Sequence, residues 1–239
     1  MADQTCVVVG AGPGLGSALA QRFAEGGYNL ALIARNAERM APLVKALEAK
    51  KVKAKAYALD ASDEGKMRDA FAAAEREVGP IAAAVHNVNG RVVKDLLDLT
   101  AADMESQWRA ICLGGFLTAR EAARHMLPRK AGTIAFIGGR GGRRGMAKFT
   151  AFAGAKAGVR SVAECVAREL APQGLHVAHF AVEATIGGEA ARKRDPEVSA
   201  AEGLVDTAAL AETVFQTHMQ PRSCWTFEVD LRPWSEGFI

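Results

Sequence analysis

The segment TCVVVGAGPGLGSALAQRFAEGGYNLALIAR, residues 5–35, decides the fold of this 239-residue chain. Within it, Cys6–Val9 is a short apolar run of mostly β-branched residues, which is typical of a buried strand. A glycine-rich turn, Gly10–Gly16, follows at once, and Ser17–Gly26 then has apolar residues at helical spacing. The segment therefore predicts a strand, a glycine turn and a helix in immediate succession.

This order of elements is the context that a dinucleotide-binding turn requires. Glycines let the backbone turn sharply and approach a pyrophosphate, which is stabilised by free N–H groups and by the positive dipole end of the helix. The candidate cofactor-binding residues here are Gly10, Gly12, Pro13, Gly14, Leu15 and Gly16. Glycines also occur in tight turns for conformational reasons alone, so the nucleotide interpretation depends on the flanking strand and helix.

Composition and charge limit the classes of protein to consider. Hydrophobic residues make up 49% of the chain and charged residues 24%, which suits a globular α/β protein. The net charge of +3 is too small to indicate a nucleic-acid partner. The four cysteines have neither metal-ligand nor disulfide spacing, so no metal site is expected. We expect no leader sequence, and no apolar run approaches the ~20 residues of a membrane span. We therefore expect a cytoplasmic protein without membrane contact.

Strand-like and helix-like segments alternate along nearly the whole chain. Further strands are predicted at Asn29–Ala34, Lys53–Leu59, Ile81–His86, Thr133–Ile137, His176–Val182 and Cys224–Val229. Further helices are predicted at Ala37–Lys50, Asp63–Val78, Ala101–Leu127, Phe149–Leu170 and Thr207–Met219. Such alternation specifies a parallel sheet with helices on both faces. The prediction is an α/β fold: a single Rossmann-like, doubly wound domain over residues 1–239 with about seven strands.

The end of the second predicted strand bears on the choice of cofactor. Ligands of doubly wound sheets bind beyond the carboxyl ends of the strands, and Arg35 and Asn36 lie where the adenosine ribose is expected. An arginine there can accommodate a 2′-phosphate, whereas an acidic residue favours a free 2′-hydroxyl. Arg35 therefore favours NADP(H) over NAD(H). An exposed arginine at a strand end is the alternative.

Two further strand ends carry small or polar residues. Asp60 and Ala61 follow the third strand, where the Asp60 carboxylate could accept a hydrogen bond from an adenine amino group, or could instead belong to an ordinary turn. Asn87 and Val88 follow the fourth strand and suit a backbone that passes close to a ribose. A simple Asn-Gly turn at residues 89–90 is the alternative.

Taken in order, these residues resemble the short-chain dehydrogenase/reductase family over nearly the whole chain. Gly10, Gly14 and Gly16 match its Gly-x-x-x-Gly-x-Gly turn. Asp60 matches its adenine-contacting aspartate, and residues 86–89, His-Asn-Val-Asn, take the place of its Asn-Asn-Ala-Gly. The resemblance implies the same fold and a nicotinamide dinucleotide cofactor.

The resemblance also locates the catalytic residues, most of which are replaced. Family reductions use a tyrosine as proton donor, with a lysine four residues later and a serine thirteen residues earlier. Lys156 is present here, and the resemblance implies that it binds the nicotinamide ribose. Phe152 stands in the tyrosine position and Gly139 in the serine position. Cys112 stands in the position of the asparagine of the preceding helix.

The source of the proton is therefore left open. The nearby polar side chains are Lys148, Thr150, His179, Glu183, Arg140, Arg143 and Arg144. The three arginines, which lie among glycines, could hold an anionic substrate or form an exposed basic loop. Glu183 and Ala184 replace the Pro-Gly that follows the sixth strand in the family, while Ile186 matches the residue whose backbone holds the nicotinamide amide.

By resemblance, the chain is an oxidoreductase that binds NADP(H) and transfers a hydride to or from a small carbonyl or alcohol substrate with a divergent proton donor. The alternative is a non-catalytic NADP(H)-binding sensor or partner subunit of an active relative. Residues 187–205 lie where relatives carry a substrate lid, or form a charged mobile loop. Relatives pair through the two long helices, so a homodimer or homotetramer is expected.

Overall fold

A computed structural model describes residues 3–200 and 202–237. The expected single domain over residues 1–239 therefore includes a few positions outside the described residues, namely Met1, Ala2, Ala201, Phe238 and Ile239.

Seven strands form one sheet, and two very short strands pair separately. The sheet strands are β1 (Thr5–Val9), β2 (Asn29–Ala34), β3 (Ala54–Ala58), β4 (Ile81–His86), β5 (Thr133–Ile137), β6 (His176–Val182) and β9 (Glu228–Leu231). The short pair is β7 (Thr185–Ile186) and β8 (Leu204–Val205). The helices are α1 (Leu15–Glu25), α2 (Ala37–Glu48), α3 (Glu64–Glu77), α4 (Ala101–Gln107), α5 (Gly114–Met126), α6 (Thr150–Leu170), α7 (Glu189–Arg194), α8 (Pro196–Ala200) and α9 (Thr207–His218).

The strand order is β3-β2-β1-β4-β5-β6-β9, and every neighbouring pair is parallel. The order reverses direction between β1 and β4, because the chain crosses over from β3 to the far side of β1. A reversal of this kind creates a crevice at the carboxyl ends of the strands. The predicted doubly wound α/β fold of about seven strands is confirmed.

Helices cover both faces of the sheet, as the apolar runs of its strands predict. Along β1, Cys6 and Val8 pack on the face that α1, α2 and α9 cover. Val7 and Val9 pack on the opposite face, against α3, α5 and α6. All four side chains are fully buried. The burial of this apolar surface on both faces is the main favourable term in folding.

The last strand was predicted too early in the chain. Cys224–Val229 was expected to form it, but the strand is Glu228–Leu231, which pairs with β6 from His179 onward. Before it, the Trp225 ring stacks on the His176 imidazole with ring centroids 4.9 Å apart. The apolar run at 224–227 therefore packs beside the amino end of β6, and pairing begins only at the charged residues that follow.

The predicted long helix Ala101–Leu127 is interrupted. A π-helical turn, Trp108–Leu113, separates α4 from α5. The Ile111 carbonyl in this turn accepts a hydrogen bond from Nε2 of the buried His86 at 3.0 Å. Burial, and then the charge of Lys156, lowers the pKa of His86 to about 3, so this imidazole is neutral at physiological pH. Helical periodicity cannot reveal this interruption, because it depends on a side chain from β4.

No helix in the described part of the chain is both long enough and apolar enough to span a bilayer.

The turn after β1 depends on two close backbone approaches. Gly10 has a φ of +94°, a conformation that favours glycine. A Cβ on Gly10 would lie 2.6 Å from the Asn87 carbonyl oxygen, and a Cβ on Gly16 would overlap the Gly10 carbonyl oxygen. The absence of side chains at these positions therefore lets β1, β4 and the start of α1 meet.

We expect Gly16→Ala to lower the free energy of unfolding by about 1–3 kcal/mol, because the added methyl group meets backbone atoms that cannot rotate away. Gly12→Ala is the matched control, since a Cβ there meets nothing within 4 Å, and its effect should stay within about 0.5 kcal/mol. Urea unfolding measures both. Equal stability of the two variants would contradict this account of the turn.

Candidate active site

A cleft of about 1100 Å³ lies beyond the carboxyl ends of the parallel strands. Its walls are formed by the turn after β1, the ends of β4, β5 and β6, and the start of α6. Residues of β7, α7 and α8 complete the walls. The predicted site residues that line it are Gly10, Gly12, Pro13, Gly14, Leu15, Gly16, Asn87, Lys156 and Ile186. Residues from distant parts of the sequence thus meet in one cavity.

The other predicted cofactor residues do not line this cleft. They are Arg35, Asn36, Asp60, Ala61 and Val88. The Asn36 side chain accepts a hydrogen bond from the Arg39 backbone N–H and caps α2. Asp60 accepts hydrogen bonds from the Ser62 backbone N–H and hydroxyl, both at 2.8 Å. The Ser62 backbone N–H lowers the pKa of the Asp60 carboxyl, and the charge of Arg35 lowers this pKa further.

Lys156 is a buried cation on the wall of the cleft. It lies on α6 with 3% of its surface exposed, and its Nζ donates a hydrogen bond to the Ile137 carbonyl at 3.0 Å. Burial lowers the pKa of the Lys156 ammonium to about 8. The ammonium therefore keeps its proton at neutral pH and loses it in mildly alkaline solution.

Aromatic and glycine residues surround Lys156 in the positions that the sequence indicated. Phe152 lies one helical turn earlier, with its ring centroid 5.9 Å from Nζ of Lys156. The Phe149 ring packs edge-on against Phe152, and both rings line the cleft. A Cβ on Gly139 would lie 3.7 Å from both the Lys156 and Phe152 side chains, at ordinary contact distance. This wall of the cleft is therefore apolar apart from one ammonium group.

Most of the candidate proton donors lie elsewhere. His179 is fully buried, its Nδ1 lies 3.0 Å from a Glu228 carboxylate oxygen, and burial lowers its pKa to about 4. Lys148 pairs with Asp95 at 3.2 Å. Glu183 is buried but does not line the cleft, and Thr150 is exposed at the start of α6. Of the seven candidates, only Arg140 lines the cleft.

The three arginines of residues 140–144 all contact carboxylates of this chain. Nη2 of Arg140 lies 2.6 Å from a Glu236 carboxylate oxygen. Arg143 pairs with Glu228 at 2.9 Å and also with Asp230. Arg144 lies 3.5 Å from Glu236. Because carboxylates already match these charges, an anionic substrate would need another cation.

The sequence analysis missed several residues of the cleft. They are Arg91, Met146, Thr185, Glu189, Lys193, Arg194, Asp195 and Val198. The last five come from residues 187–205, the segment with the two interpretations of a lid and a mobile loop. Its described residues form α7, α8 and β8, and Ala201 lies outside the description. The position of this segment in relatives indicated that it lies near the site. The sequence alone does not show which of its side chains face the cleft.

No cluster of three or more histidine, cysteine or acidic side chains suited to a metal ion occurs among residues 3–200 and 202–237.

Comparison with known proteins identifies the family. The short chain dehydrogenase family model matches residues 4–197. The chain belongs to the short-chain dehydrogenase family. A short-chain dehydrogenase from Rhodopseudomonas palustris is similar over 97% of this chain and 99% of its own, with 35% identity and a TM-score of 0.85.

Two further proteins are similar to this chain at lower sequence identity. The human 3-oxoacyl-[acyl-carrier-protein] reductase is 29% identical over 179 residues, which cover 73% of each protein. An alcohol dehydrogenase from the archaeon Thermococcus sibiricus, complexed with 5-hydroxy-NADP, is 19% identical with a TM-score of 0.86 over 99% of this chain and 100% of its own. The archaeal likeness shows the fold. The family resemblance seen in the sequence is thus confirmed.

We expect Lys156→Met to raise the free energy of unfolding at pH 7 by up to about 3 kcal/mol, because it removes a buried ammonium group. The loss of the hydrogen bond to the Ile137 carbonyl reduces this gain. The folded-state pKa lies below the ordinary value, so the unfolded chain binds more protons between about pH 8 and 10.5. The stability contribution of Lys156 therefore rises with pH across this window.

Urea unfolding at several pH values measures this effect. The variant should lose the alkaline rise in stability, whereas Arg68→Met, a change of an exposed arginine on α3, should keep it. A rise that persists unchanged in Lys156→Met would show that this ammonium is not its source.

Proposed function

We propose that this protein is an NADP(H)-dependent oxidoreductase that transfers a hydride to or from a small carbonyl or alcohol substrate without a tyrosine proton donor. The proposal also takes the chain to be a single domain. Its main support is the convergence of Gly10, Gly14, Asn87, Lys156 and Ile186 on one cleft.

The glycine turn fits a dinucleotide. A Cβ on Gly12 would meet nothing within 4 Å, so the backbone there is open to a ligand. We assign the pyrophosphate to the N–H groups of residues 14–16, at the start of α1. Arg35 and Asn36 would contact the phosphorylated ribose, and Asp60 and Ala61 the adenine.

The other half of the cofactor would lie along β4, α6 and β7. Asn87 and Val88 would pass close to a ribose, Lys156 would bind the nicotinamide ribose, and the Ile186 backbone would hold the nicotinamide amide. The bound cofactor supplies the hydride. The Lys156 ammonium would supply a positive charge that favours a developing alkoxide. Because Phe152 has no proton to donate, water that enters the cleft would protonate the alkoxide.

The substrate would be a small molecule. One cationic side chain of the cleft is evidence that this substrate carries an anionic group. Arg91 lines the cleft with its guanidinium carbon 5.4 Å from the centroid of the Phe149 ring. Within residues 3–200 and 202–237, it has no carboxylate within ion-pair distance, unlike Arg140 and Arg194. Arg91 is therefore the cation that we assign to a substrate carboxylate or phosphate.

A homodimer or homotetramer is part of the proposal. Of the two helical segments expected to pair, the first, residues 101–127, exposes Trp108 and Phe116, which are 49% and 41% accessible. Exposed apolar surface on this segment supports a contact with another protein chain.

A non-catalytic NADP(H)-binding sensor or partner subunit is the second candidate function. It is favoured by the replacements at Phe152, Gly139 and Cys112, and by the absence of a phenol among the described residues that line the cleft. Oxidation of NADPH across a panel of ketones and aldehydes separates the two candidates. Cofactor binding without any turnover would support the sensor.

We expect calorimetry to show tighter binding of NADPH than of NADH. Arg35→Glu should remove a charge-assisted contact and weaken NADPH binding by about 10–100-fold, while NADH binding changes little. Arg68→Glu, at an exposed position on α3 that does not line the cleft, is the charge-matched control. Failure of both cofactors to bind at millimolar concentration would contradict the proposal.

We expect Phe152→Tyr combined with Gly139→Ser to raise reductase activity by about 10²–10⁴-fold, because a positioned proton donor contributes on that scale. The space beside Gly139 admits the serine side chain. Phe149→Tyr is the matched control, since it places a phenol in the same cleft, seven residues before Lys156. Stopped-flow oxidation of NADPH measures the gain. Activity that stays at background would count against hydride transfer in this cleft.

A further inference from the structure

We propose that Arg140 is a positioning residue that fixes residues 183–186 as the binding edge for the nicotinamide half of the cofactor. This inference rests on the proposed NADP(H) function. It gives Arg140 a role other than holding an anionic substrate.

The geometry centres on one carbonyl group. Nε and Nη2 of Arg140 both donate hydrogen bonds to the Glu183 carbonyl oxygen, at 2.9 and 2.6 Å. The same Nη2 lies 2.6 Å from the Glu236 carboxylate, which balances its charge. The Arg140 guanidinium therefore binds both the main chain of Glu183 and the side chain of Glu236.

The sheet offers this carbonyl no backbone donor. The Glu183 N–H donates to the carbonyl of Leu231, the last residue of β9. The parallel ladder between β6 and β9 would next bring the N–H of residue 233 to the Glu183 carbonyl, but this residue is a proline and has no N–H. A buried carbonyl without a donor is costly. Arg140, three residues after the end of β5, supplies the N–H groups that Pro233 lacks.

The segment held in this way leads directly into the cleft. Ala184, Thr185 and Ile186 follow Glu183 and line the cavity. Neither Glu183 nor Ala184 has the ring that fixes φ in proline, so the sequence itself does not hold this backbone rigid. The two hydrogen bonds from Arg140 restrict it instead at Glu183, and the pairing of β7 with β8 holds Thr185 and Ile186, which follow.

The Glu183 side chain lies near the other two arginines of the same loop. Its carboxylate is 4% exposed, and its oxygens lie 3.8 Å from Nη1 of Arg143 and 3.9 Å from Nε of Arg144. These longer contacts neutralise the buried charge without donating to the carbonyl. Main-chain positioning therefore depends on Arg140 alone among the three arginines.

The test compares whole NADPH with adenosine 2′,5′-bisphosphate, which carries only the adenine half. In Arg140→Ala, calorimetry should show an NADPH Kd raised by about tenfold or more, and a bisphosphate Kd within about twofold of the original. Arg140→Lys, which keeps one donor, should recover part of the NADPH affinity. Arg68→Ala should change neither Kd.

A merely structural role would weaken both ligands together. Hydrogen exchange of the free protein adds a readout that needs no cofactor: the amides of residues 184–186 should exchange faster in Arg140→Ala, and those of β1 should not. Equal weakening of both ligands, an unchanged NADPH Kd, or unchanged exchange at residues 184–186 would each overturn the inference. If the unsubstituted protein bound the bisphosphate but not NADPH, this inference and the proposed function would both fail. If the unsubstituted protein bound NADPH and Arg140→Ala bound it equally well, this inference would fail and the proposed function would stand.

Discussion

The whole site depends on the contact between the Gly10 backbone and Asn87. The Asn87 side chain donates a hydrogen bond to the Gly10 carbonyl at 3.0 Å, and the Asn87 N–H donates to the Val9 carbonyl at 2.7 Å. The Gly10 N–H in turn donates to Ile33 on β2. Three strand ends are thus fixed to one another where the strand order reverses. The rest of the cleft is built outward from this junction.

The sequence predicted those features that depend on local pattern. Hydrophobic periodicity located six of the seven sheet strands within a residue or so, and the order of strand, glycine turn and helix located the cofactor end of the cleft. Lys156 was placed in the cleft from the family spacing, and the structure puts its ammonium there. Arg35 and Asp60 stay predictions for the cofactor, since they lie outside the cleft lining.

The features that were missed depend on contacts between distant residues. The π-helical turn at Trp108–Leu113 forms around His86, some 25 residues earlier in the chain than Ile111. The last strand begins at Glu228, whose carboxylate is bound by Arg143 and Arg160. Burial would raise the pKa of Glu228, but these arginines outweigh it and lower the pKa to about 2. The local sequence shows that such a residue is polar or charged, but it does not show which distant residue pairs with it.

The charged pairing at β9 has a consequence for the edges of the sheet. β9 is an outermost strand, and Glu228 and Asp230 on it are matched by arginines of the same chain. The opposite outer strand, β3, carries Lys55, which pairs with Glu77. Charged side chains on outer strands disfavour the addition of a foreign strand. These charged side chains therefore disfavour open-ended, fibre-like growth of the sheet at both of its edges.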